Sequence, residues 1–349
     1  MPCIVTGTGS YLPAREVSNA ELAKLVRNFD SHRAGCDLDS WVRRHYGVTS
    51  RHWAAEEEST GDMAIHAARH ALESAGLAPG DLDLIVMSTA TSDHVAPHSV
   101  SKVQAALGCD AVFHQLQDAC PGFVNALLVA DALMARCRYR RALVISAEKM
   151  SYLIDKGDFR MSGLFADGAG AVILEELPVD PRYGFQSFYA GSDGKSGHAL
   201  RVPAGGSARP LTPARLAAGE HHLVSEFHAV YDFAVARSAQ CLHEAVSRAG
   251  KTLADVRYVV PHHASLNILQ DAAKRAELDP SKYVLSIDHT GNTSSASVPT
   301  ALDEANRAGR FADGDRLVLF ALGGGMAWAS TLLTWAGRET IAAGRARAS

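Results

Sequence analysis

The sequence predicts an α/β protein built from two similar halves, and three observations lead to this prediction. Short apolar runs, typical of buried strands, alternate with amphipathic stretches of helical spacing along the chain. The 349 residues are too many for one small core and fit one large domain or two closely packed domains. Several segments of the second part of the chain also repeat segments of the first part at a constant offset. Layers of helix and sheet, duplicated within one chain, account for all three observations.

The apolar runs and the helical stretches give the predicted order of elements. Strands are predicted at residues 84–88, 142–146, 169–174, 258–260, 283–287 and 316–322. Helices are predicted over residues 62–74, 123–135, 222–248 and 301–307. The first of these helices carries apolar residues near helical spacing from Met63 to Leu72, and Gly76 is a typical stop after its last turn.

Pairs of neighbouring residues recur 174 positions later in the chain. The pairs are Ala75-Gly76 with Ala249-Gly250, Asp81-Leu82 with Asp255-Val256, and Ile85-Val86 with Val259-Val260. Chance similarity between common turn sequences is one explanation, and an internal duplication is the one that we favour because the offset is constant. We predict an N-terminal half at residues 1–177 that carries the nucleophile, a C-terminal half at residues 178–337 and a frayed tail at residues 338–349. Two such halves place a cleft between them.

Composition and charge exclude several classes of protein. The formal net charge of −4 provides no basic field for non-specific binding of nucleic acid. No stretch of the chain approaches the roughly 18 apolar residues of a membrane-spanning helix. The 6 cysteines form neither CxxC pairs nor clusters with zinc-ligand spacing, so neither a metal site nor a disulfide framework is predicted. We therefore expect a cytoplasmic protein with no nucleic-acid, membrane or metal partner.

Cys120 is the candidate nucleophile. It lies in the segment DACPGF, between a predicted strand and the helix predicted at residues 123–135. Pro121 suits the first position of a helix and so places Cys120 at or just before the helix N-terminus, where free amides and the helix dipole favour a thiolate. A buried, inert cysteine is the alternative, and it is the interpretation that we retain for the other cysteines of the chain.

Two further segments follow predicted strands and offer polar groups to the same cleft. His262 stands just beyond the strand at residues 258–260, at the end of a strand where open sheets present their chemistry. Neighbouring extended residues point to opposite faces, so at most one of His262 and His263 faces a given pocket. A solvated loop histidine is the alternative. Asn292 follows another apolar run and precedes a helix, where it is either an N-cap or a donor that points into the cleft.

Three consecutive glycines, Gly323, Gly324 and Gly325, interrupt two apolar strands near the end of the chain. Consecutive glycines in a strand are tolerated where the backbone passes close to another group or turns sharply. An amide that binds an oxyanion is one use of such a segment, and a simple bulge is the other. Motifs for dinucleotide binding, for phosphate loops and for the nucleophile elbow of α/β-hydrolases are incomplete or absent in the sequence.

A set of five segments is far more specific than any one of these motifs. The segments are ACPGF around Cys120, FADGAGAVILE at residues 165–175, VPHHA at 260–264, HTGNTSSASVPTALDEA at 289–305 and LGGGMAWAS at 322–330. In this order, across nearly the whole chain, they resemble the β-ketoacyl-acyl carrier protein synthase III family of thiolase-fold enzymes. The resemblance implies a five-layered αβαβα fold with two pseudo-twofold-related halves, usually assembled as a homodimer.

By this resemblance the Cys-His-Asn triad of the family falls on Cys120, His262 and Asn292. The implied reaction is a decarboxylative Claisen condensation in fatty-acid or polyketide metabolism. The Cys120 thiolate takes an acyl group from a thioester while the amides of Cys120 and Gly324 hold the oxyanion. His262 and Asn292 then donate to the carbonyl of a malonyl-type thioester, CO2 leaves, and the enolate attacks the acyl-cysteine. Acyl-CoA or acyl-carrier thioesters serve as substrates, and neither a cofactor nor a metal is implied.

The resemblance also assigns substrate positions, and this chain departs from the family pattern at several of them. Trp41 matches a tryptophan that stacks on adenine, whereas His45 and Phe159 stand where arginines that bind CoA are expected. Ala96 stands where fatty-acid members place a bulky Phe at the acyl pocket, so acyl chains longer than acetyl are expected. Ser265 replaces an asparagine that points at the pantetheine.

The missing arginines predict that an acyl carrier protein delivers at least one substrate and that free CoA thioesters are poorer donors. Lys274 and Arg275, on the helix after His262, are the residues predicted to dock the acidic carrier. In the alternative interpretation these two are ordinary solvated residues, and Arg44 and Arg160 take over from the shifted arginine positions.

Two other functions are compatible with parts of this pattern. A relative that transfers the acyl group to a hydroxyl or amine acceptor keeps the nucleophile and has no need of Asn292. A non-catalytic partner subunit of a synthase pair commonly lacks the nucleophile, which Cys120 supplies here. The intact triad favours condensation.

Overall fold

Strands and helices alternate through most of the chain, and the computed structural model describes residues 1–348. The strands are β1 (Cys3–Tyr11), β2 (Glu16–Ser18), β3 (Ser50–His52), β4 (Leu84–Ser88), β5 (Val112–Leu116), β6 (Arg141–Lys149), β7 (Asp167–Glu176), β8 (Gly184–Ser192), β9 (Leu200–Arg201), β10 (Val224–Ser225), β11 (Tyr258–Pro261), β12 (Arg316–Gly323) and β13 (Ala327–Thr334). The helices are α1 (Asn19–Leu22), α2 (Ser31–Ala34), α3 (Leu38–Tyr46), α4 (Thr60–Ala75), α5 (Ser99–Leu107), α6 (Gly122–Cys137), α7 (Met150–Leu153), α8 (Phe159–Ser162), α9 (Pro213–Ala217), α10 (Phe227–Ser247), α11 (Leu266–Ala276), α12 (Ile287–Thr290), α13 (Ser297–Arg307) and α14 (Arg338–Ala348). Within these residues, no helix has both the length and the apolar character needed to cross a membrane.

Two sheets carry the fold. The first has the strand order β1-β7-β6-β4-β5, and the second has the order β11-β12-β13-β8. β4 runs parallel to β5 and β6, and β11 runs parallel to β12, so the loops after these strands meet at the carboxyl edges of the sheets. The strands of the first sheet lie within residues 3–176 and those of the second within residues 184–334. The division of the chain into two domains at residue 177 stays a prediction.

Helices cover both faces of each sheet and produce five layers. α4 and α5 pack on the outer face of the first sheet, α6 and α13 lie between the sheets, and α10 and α11 pack on the outer face of the second sheet. Alternate residues of β4 face different layers, with Leu84 and Val86 in the central core and Ile85 and Met87 in the outer core. The αβαβα architecture predicted from the sequence is confirmed.

The internal repeat of the sequence has a structural counterpart. After α4 and after α10 the chain turns at glycines with almost the same left-handed conformation, Gly76 with φ 66° and Gly250 with φ 65°. A short 3-10 turn follows in each half, at Pro79–Asp81 and at Leu253–Asp255. The aspartate of each turn accepts a hydrogen bond from the amide that precedes the turn, at 2.8 Å and 2.9 Å. Both halves therefore enter their sheets, at β4 and at β11, through the same capped turn.

The strand predicted at residues 283–287 is wrong. Tyr283 forms an isolated bridge to Val259, and the chain then enters α12 at Ile287. The apolar side chains that suggested a strand are buried in two different layers, with Val284 in the central core and Tyr283 in the outer core. The segment is apolar because its individual side chains are buried, although its backbone does not pair with a neighbouring strand.

The tail that was predicted to fray forms α14, so this prediction is wrong for residues 338–348. Ile341 packs against a cluster that includes Leu177 and Val179. Arg345 Nε donates to Glu175 at 3.0 Å, and this carboxylate is buried at the end of β7. The sequence gives no sign of this helix, because its residues are mostly small or polar. The helix is held in place by an ion pair with a distant strand, which a local pattern does not reveal. Residue 349 lies outside the described residues.

Candidate active site

A cavity of about 540 Å³ contains the three residues predicted to be catalytic. Cys120, His262 and Asn292 all line it, although they come from loops that are far apart in the sequence. Much of the remaining wall is apolar and includes Leu322 and Met326. Among the described residues, no cluster of three or more His, Cys, Asp or Glu side chains is placed to hold a metal ion. The cavity therefore offers a nucleophile, an imidazole and a carboxamide within apolar surroundings.

Cys120 lies in a tight turn between β5 and α6. Ala119, just before it, has the left-handed φ of 48°, and Pro121 is the N-cap of α6. A Cβ atom on Gly122 would lie 1.9 Å from Ser88 Oγ, so only glycine lets the start of α6 pack against the end of β4. The helix start predicted at Pro121 is thus one residue early, and Cys120 stands just before the helix.

Burial has the strongest influence on the Cys120 thiol and raises its pKa to about 11. The Ser294 hydroxyl opposes this rise by donating to Cys120 Sγ at 3.5 Å, whereas the buried Glu148 carboxylate adds to it. The nearby backbone amides of Gly324 and Cys120 also lower the pKa of the thiol. The expectation of a thiolate is therefore wrong for the resting site, because desolvation outweighs the donors. The thiol has to lose its proton during the reaction.

His262 follows β11 directly and is almost completely buried. Burial lowers its pKa to about 4, so the imidazole is neutral near pH 7. Ser297 Oγ lies 2.8 Å from Nδ1 and donates its own proton to the Ser294 carbonyl at 2.8 Å. Ser297 therefore accepts from the ring, which places the ring proton on Nδ1 and leaves Nε2 with a free lone pair. His263 is buried outside the cavity lining, in agreement with the prediction that one histidine of the pair faces the pocket.

Asn292 is fixed through its backbone and its side chain. Its N–H donates to the Leu164 carbonyl at 2.9 Å, and its carbonyl accepts from Ala166 N at 2.9 Å. Oδ1 accepts from the Ser294 amide at 2.8 Å, and Nδ2 donates to the Ala264 carbonyl at 3.4 Å. Asn292 is not the N-cap of α13. Its Nδ2 group carries two protons and one long hydrogen bond, so it can donate into the cavity.

The glycine triplet forms the turn between β12 and β13. A Cβ atom on Gly323 would lie 2.6 Å from both Cβ and Sγ of Cys120, so any larger residue would displace the nucleophile. Gly325 has φ 124°, a conformation that other residues rarely adopt. The Gly324 amide lowers the pKa of the Cys120 thiol, as expected of a donor close to the sulfur. Close approach to another group, rather than a simple bulge, explains the glycines.

At the mouth of the cavity, aromatic rings pack on one another where CoA was expected to bind. Trp41 lines the cavity, but the His45 ring stacks on it with centroids 4.2 Å apart, and His45 Nδ1 is bonded to the Trp41 carbonyl at 2.8 Å. Phe159 meets the same indole edge to face at 4.9 Å. Arg160 also lines the cavity, and its guanidinium is paired with Asp158 at 3.0 Å. One face of Trp41 is covered, and the guanidinium of Arg160 already has a partner.

The predicted pantetheine and carrier residues lie on α11. Ser265 lines the cavity and is the N-cap of this helix, with its oxygen accepting from the Ile268 amide at 3.3 Å. Lys274 and Arg275 are exposed in the last turn of the same helix. They lie about 10 Å along the helix axis from Asn267, which lines the cavity.

Ala96 is not brought to the cavity of its own chain. It is exposed in the loop between β4 and α5, beside the fully exposed Val95. The apolar wall near the nucleophile comes instead from residues such as Leu200, Phe233 and Met326. Within one chain, the structure therefore does not support the placement of Ala96 at the acyl pocket.

Three polar residues near the nucleophile were missed in the sequence: Ser294, Ser297 and Glu148. Glu148 is the last residue but one of β6 and is fully buried. Burial raises its pKa to about 7, and its carboxylate accepts from Ser295 Oγ at 2.6 Å. Ser294 could have been identified from the internal repeat, because it lies 174 residues after Cys120 and this distance is the offset of the repeat. No local signal marks Glu148, because its partners come from distant segments.

Comparisons with known proteins point to one family. The model of 3-oxoacyl-[acyl-carrier-protein (ACP)] synthase III matches residues 115–194, and that of the C-terminal part of the same synthase matches residues 246–335. A β-ketoacyl-[acyl-carrier-protein] synthase III of Cereibacter sphaeroides is 39% identical over 336 residues, which cover 95% of this chain and 98% of that protein. The synthase III of Rhodospirillum centenum is 40% identical over 336 residues, with the same coverage of 95% and 98%.

Solved structures agree with these sequence comparisons. The crystal structure of 3-oxoacyl-(acyl carrier protein) synthase III from Pseudomonas aeruginosa matches with a TM-score of 0.86 and 32% identity, over 97% of this chain and 99% of that one. The priming β-ketosynthase of the R1128 polyketide pathway matches with a TM-score of 0.85 and 31% identity, over 96% of both chains. A 3-oxoacyl-(acyl carrier protein) synthase III and a priming ketosynthase of a polyketide pathway thus share this fold.

Proposed function

The chain belongs to the 3-oxoacyl-[acyl-carrier-protein] synthase III family, and from this premise we propose how its residues carry out the reaction. It is an acyltransferase of the ketosynthase III type, which joins an acyl group to a malonyl-type thioester by decarboxylative Claisen condensation in fatty-acid or polyketide biosynthesis. The observation that carries the assignment of residues is the convergence of Cys120, His262 and Asn292 in one cavity.

In the first step Cys120 becomes acylated. Its sulfur bonds to the acyl carbon of a donor thioester, the thioester C–S bond breaks, and the thiol proton passes to the leaving sulfur. The free lone pair on His262 Nε2 supports this imidazole as the group that accepts and returns the proton. The amides of Cys120 and Gly324 hold the oxyanion, and the lowering influence of both amides on the pKa of the thiol supports this role.

In the second step His262 and Asn292 stabilise the enolate of the extender. Asn292 Nδ2 donates to the thioester carbonyl of the malonyl-type substrate, and His262 donates from Nε2. Because Ser297 can rotate its hydroxyl and donate to Nδ1, the ring can carry its proton on Nε2 in this step. CO2 leaves, the enolate carbon attacks the acyl-cysteine, and the Cys120 thiolate departs and regains a proton from solvent.

The substrates are thioesters, and the proposed chemistry uses no cofactor or metal. The apolar wall of Leu200, Phe233 and Met326 suits an acyl chain longer than acetyl. We infer that an acyl carrier protein delivers at least one substrate, because His45 covers the ring of Trp41 on which adenine would stack. Acyl groups on phosphopantetheine alone need no adenine site.

We also infer a homodimer that forms along β5. This strand is the last of its sheet, and one of its edges has no strand partner within residues 1–348. Val112, at its start, is 46% exposed. Exposed edge strands pair readily with another strand, and a second copy would complete the sheet. Light scattering during size-exclusion chromatography measures the mass in solution, and a monomer would contradict this inference.

The proposed reaction is tested by mass spectrometry of the intact protein. Wild type incubated with acyl-CoA and acyl-carrier thioesters should gain one acyl group, and Cys120→Ala should gain none. Cys241→Ala removes another buried thiol outside the cavity lining and serves as the matched control that still becomes acylated. An acyl group that persists in Cys120→Ala contradicts the assignment of the nucleophile.

A further inference from the structure

Ser294 is bonded to two of the three proposed catalytic residues and is linked to the third through Ser297. Its hydroxyl donates to Cys120 Sγ at 3.5 Å, and its amide donates to Asn292 Oδ1 at 2.8 Å. Its carbonyl accepts from Ser297 Oγ at 2.8 Å, and Ser297 Oγ in turn lies 2.8 Å from Nδ1 of His262. One residue therefore links the nucleophile, the imidazole and the carboxamide of the site.

The position of Ser294 is fixed by its surroundings. The residue is 2% exposed, and its φ of 51° lies in the left-handed region that serine rarely adopts. A residue persists in this region only where the surrounding structure holds it there. Ala119, next to the nucleophile, has almost the same φ of 48°, and Ser294 itself is the counterpart of Cys120 in the internal repeat. Each half thus brings a left-handed residue to the cleft, although at different repeat positions, because Ala119 precedes the thiol whereas Ser294 itself carries the hydroxyl.

The hydroxyl of Ser294 has a specific partner. It carries one proton, and within residues 1–348 the sulfur of Cys120 is the acceptor that this proton meets. The neighbouring hydroxyl of Ser295 donates to Glu148 at 2.6 Å instead. A hydrogen bond to sulfur strengthens as negative charge develops, so such a donor stabilises the thiolate more than the thiol.

We propose that Ser294 is a fourth catalytic residue, whose hydroxyl donates to the Cys120 sulfur as the thiolate forms during acylation. This proposal rests on the proposed function and adds a donor that offsets the burial of the nucleophile. The acylated sulfur has no negative charge, so the contribution of the hydroxyl ends once the acyl group is in place. Loss of CO2 from the extender, which precedes the departure of the sulfur, does not use it.

The test compares Ser294→Ala and Ser294→Gly with Ser295→Ala. The rate of alkylation of Cys120 by iodoacetamide is followed against pH, with peptide mass spectrometry to identify the modified cysteine. The ionisable groups that face the thiol, Glu148 from the end of β6 and His262 from the loop after β11, are retained in all three variants. In both Ser294 variants the alkylation profile should move to higher pH, and alkylation and self-acylation near neutral pH should be about tenfold slower. Protein that is already acylated should release CO2 from a malonyl thioester at the wild-type rate.

Three outcomes would overturn the proposal. The first is a profile in both Ser294 variants that coincides with wild type, and the second is an equal upward shift in Ser295→Ala, which would indicate general loosening of the turn. The third is a rate of CO2 release from the already acylated Ser294 variants that falls as much as their rate of acylation. Glycine accepts the left-handed φ at this position, so Ser294→Gly keeps the test available if the alanine variant does not fold. Failure of the proposed function would be seen separately, as an acyl group that persists in Cys120→Ala.

Discussion

The reaction centre and the mouth of the cavity differ in how firmly their polar groups are held. At the centre, Cys120, His262 and Asn292 are buried and are bonded to neighbours that are themselves buried. At the mouth, Trp41 stacks on His45 within a patch of aromatic rings and partly exposed charges. A preorganised centre fixes the type of reaction, because its donors cannot adapt to other chemistry. The mouth consists of stacked side chains that can be replaced without altering the reaction centre, so delivery by CoA or by a carrier protein can differ between relatives.

The largest effect that would test this contrast is expected at the enolate step. His262→Ala and Asn292→Ala should each slow decarboxylation of a malonyl thioester by about a thousandfold, since each removes a donor to the developing oxyanion. Asn292→Ala should still accept an acyl group on Cys120, because Nδ2 has no proposed role in acylation. Release of CO2 is measured beside intact-mass acylation. Wild-type CO2 release in either variant would favour simple acyl transfer over condensation.

Close packing at the centre predicts a strong effect of a single methyl group. Gly323→Ala should slow acylation by about a hundredfold or more, because its Cβ atom would lie 2.6 Å from Cys120 Sγ. Gly324→Ala is the matched control, since the nearest atom to its Cβ would be 3.6 Å away. Its loss of acylation rate should be far smaller. Similar losses in both variants would show that the hairpin responds to any side chain rather than to contact with the nucleophile.

Glu148 should act on the same thiol with the opposite sign to Ser294. Its buried carboxylate raises the Cys120 pKa, so Glu148→Gln, which removes the charge and keeps the shape, should move the alkylation profile to lower pH. Alkylation just above neutral pH should become faster by up to about tenfold. Glu148→Asp restores a carboxylate and should return the profile toward wild type. An upward shift in Glu148→Gln would mean that the carboxylate acts mainly by holding the Ser295 turn.

Local signals in the sequence predicted alternating strands and helices and marked Cys120, His262 and Asn292 as candidates, whereas the five layers and the catalytic roles of these residues were implied by the resemblance to the family. Apolar spacing marks β4 and α4, the constant offset marks the repeat, and short motifs after strands mark Cys120 and Asn292. Properties that arise from contacts between distant parts of the chain could not be predicted from local sequence patterns. The raised pKa of Cys120 depends on burial beneath several elements, and α14 depends on the ion pair between Arg345 and Glu175. The apolar run at residues 283–287 failed for a related reason, since burial alone does not make a strand.

At the mouth, smaller effects are expected. His45→Ala should uncover one face of Trp41 and improve the use of acyl-CoA donors by about three- to tenfold in kcat/KM, which is the range expected for one aromatic stack. Use of the same acyl group on a carrier should change little, because phosphopantetheine has no adenine. Arg43→Ala alters an exposed residue on α3 that is paired with Asp39 and is the control. Equal improvement with both kinds of donor would indicate that His45 limits entry to the cavity rather than recognition of adenine.

The smallest effect is expected from the surface charges on α11. Lys274 and Arg275 are exposed, and exposed charge pairs contribute little individually, so Lys274→Glu with Arg275→Glu should lower carrier-dependent kcat/KM by about five- to tenfold. The loss should lie mainly in KM, since these residues are remote from the reacting atoms, and it should diminish as salt is added, because salt screens charges between exposed surfaces. Rates with acyl-CoA donors should be unchanged, which separates carrier docking from damage to the site. The exposed pair Lys251 and Arg257 lies just before β11, at the end of the strand opposite to His262, and provides the matched control for a change of net charge. If both double variants lose the same carrier-dependent rate, overall charge accounts for the effect, and α11 is not the docking surface.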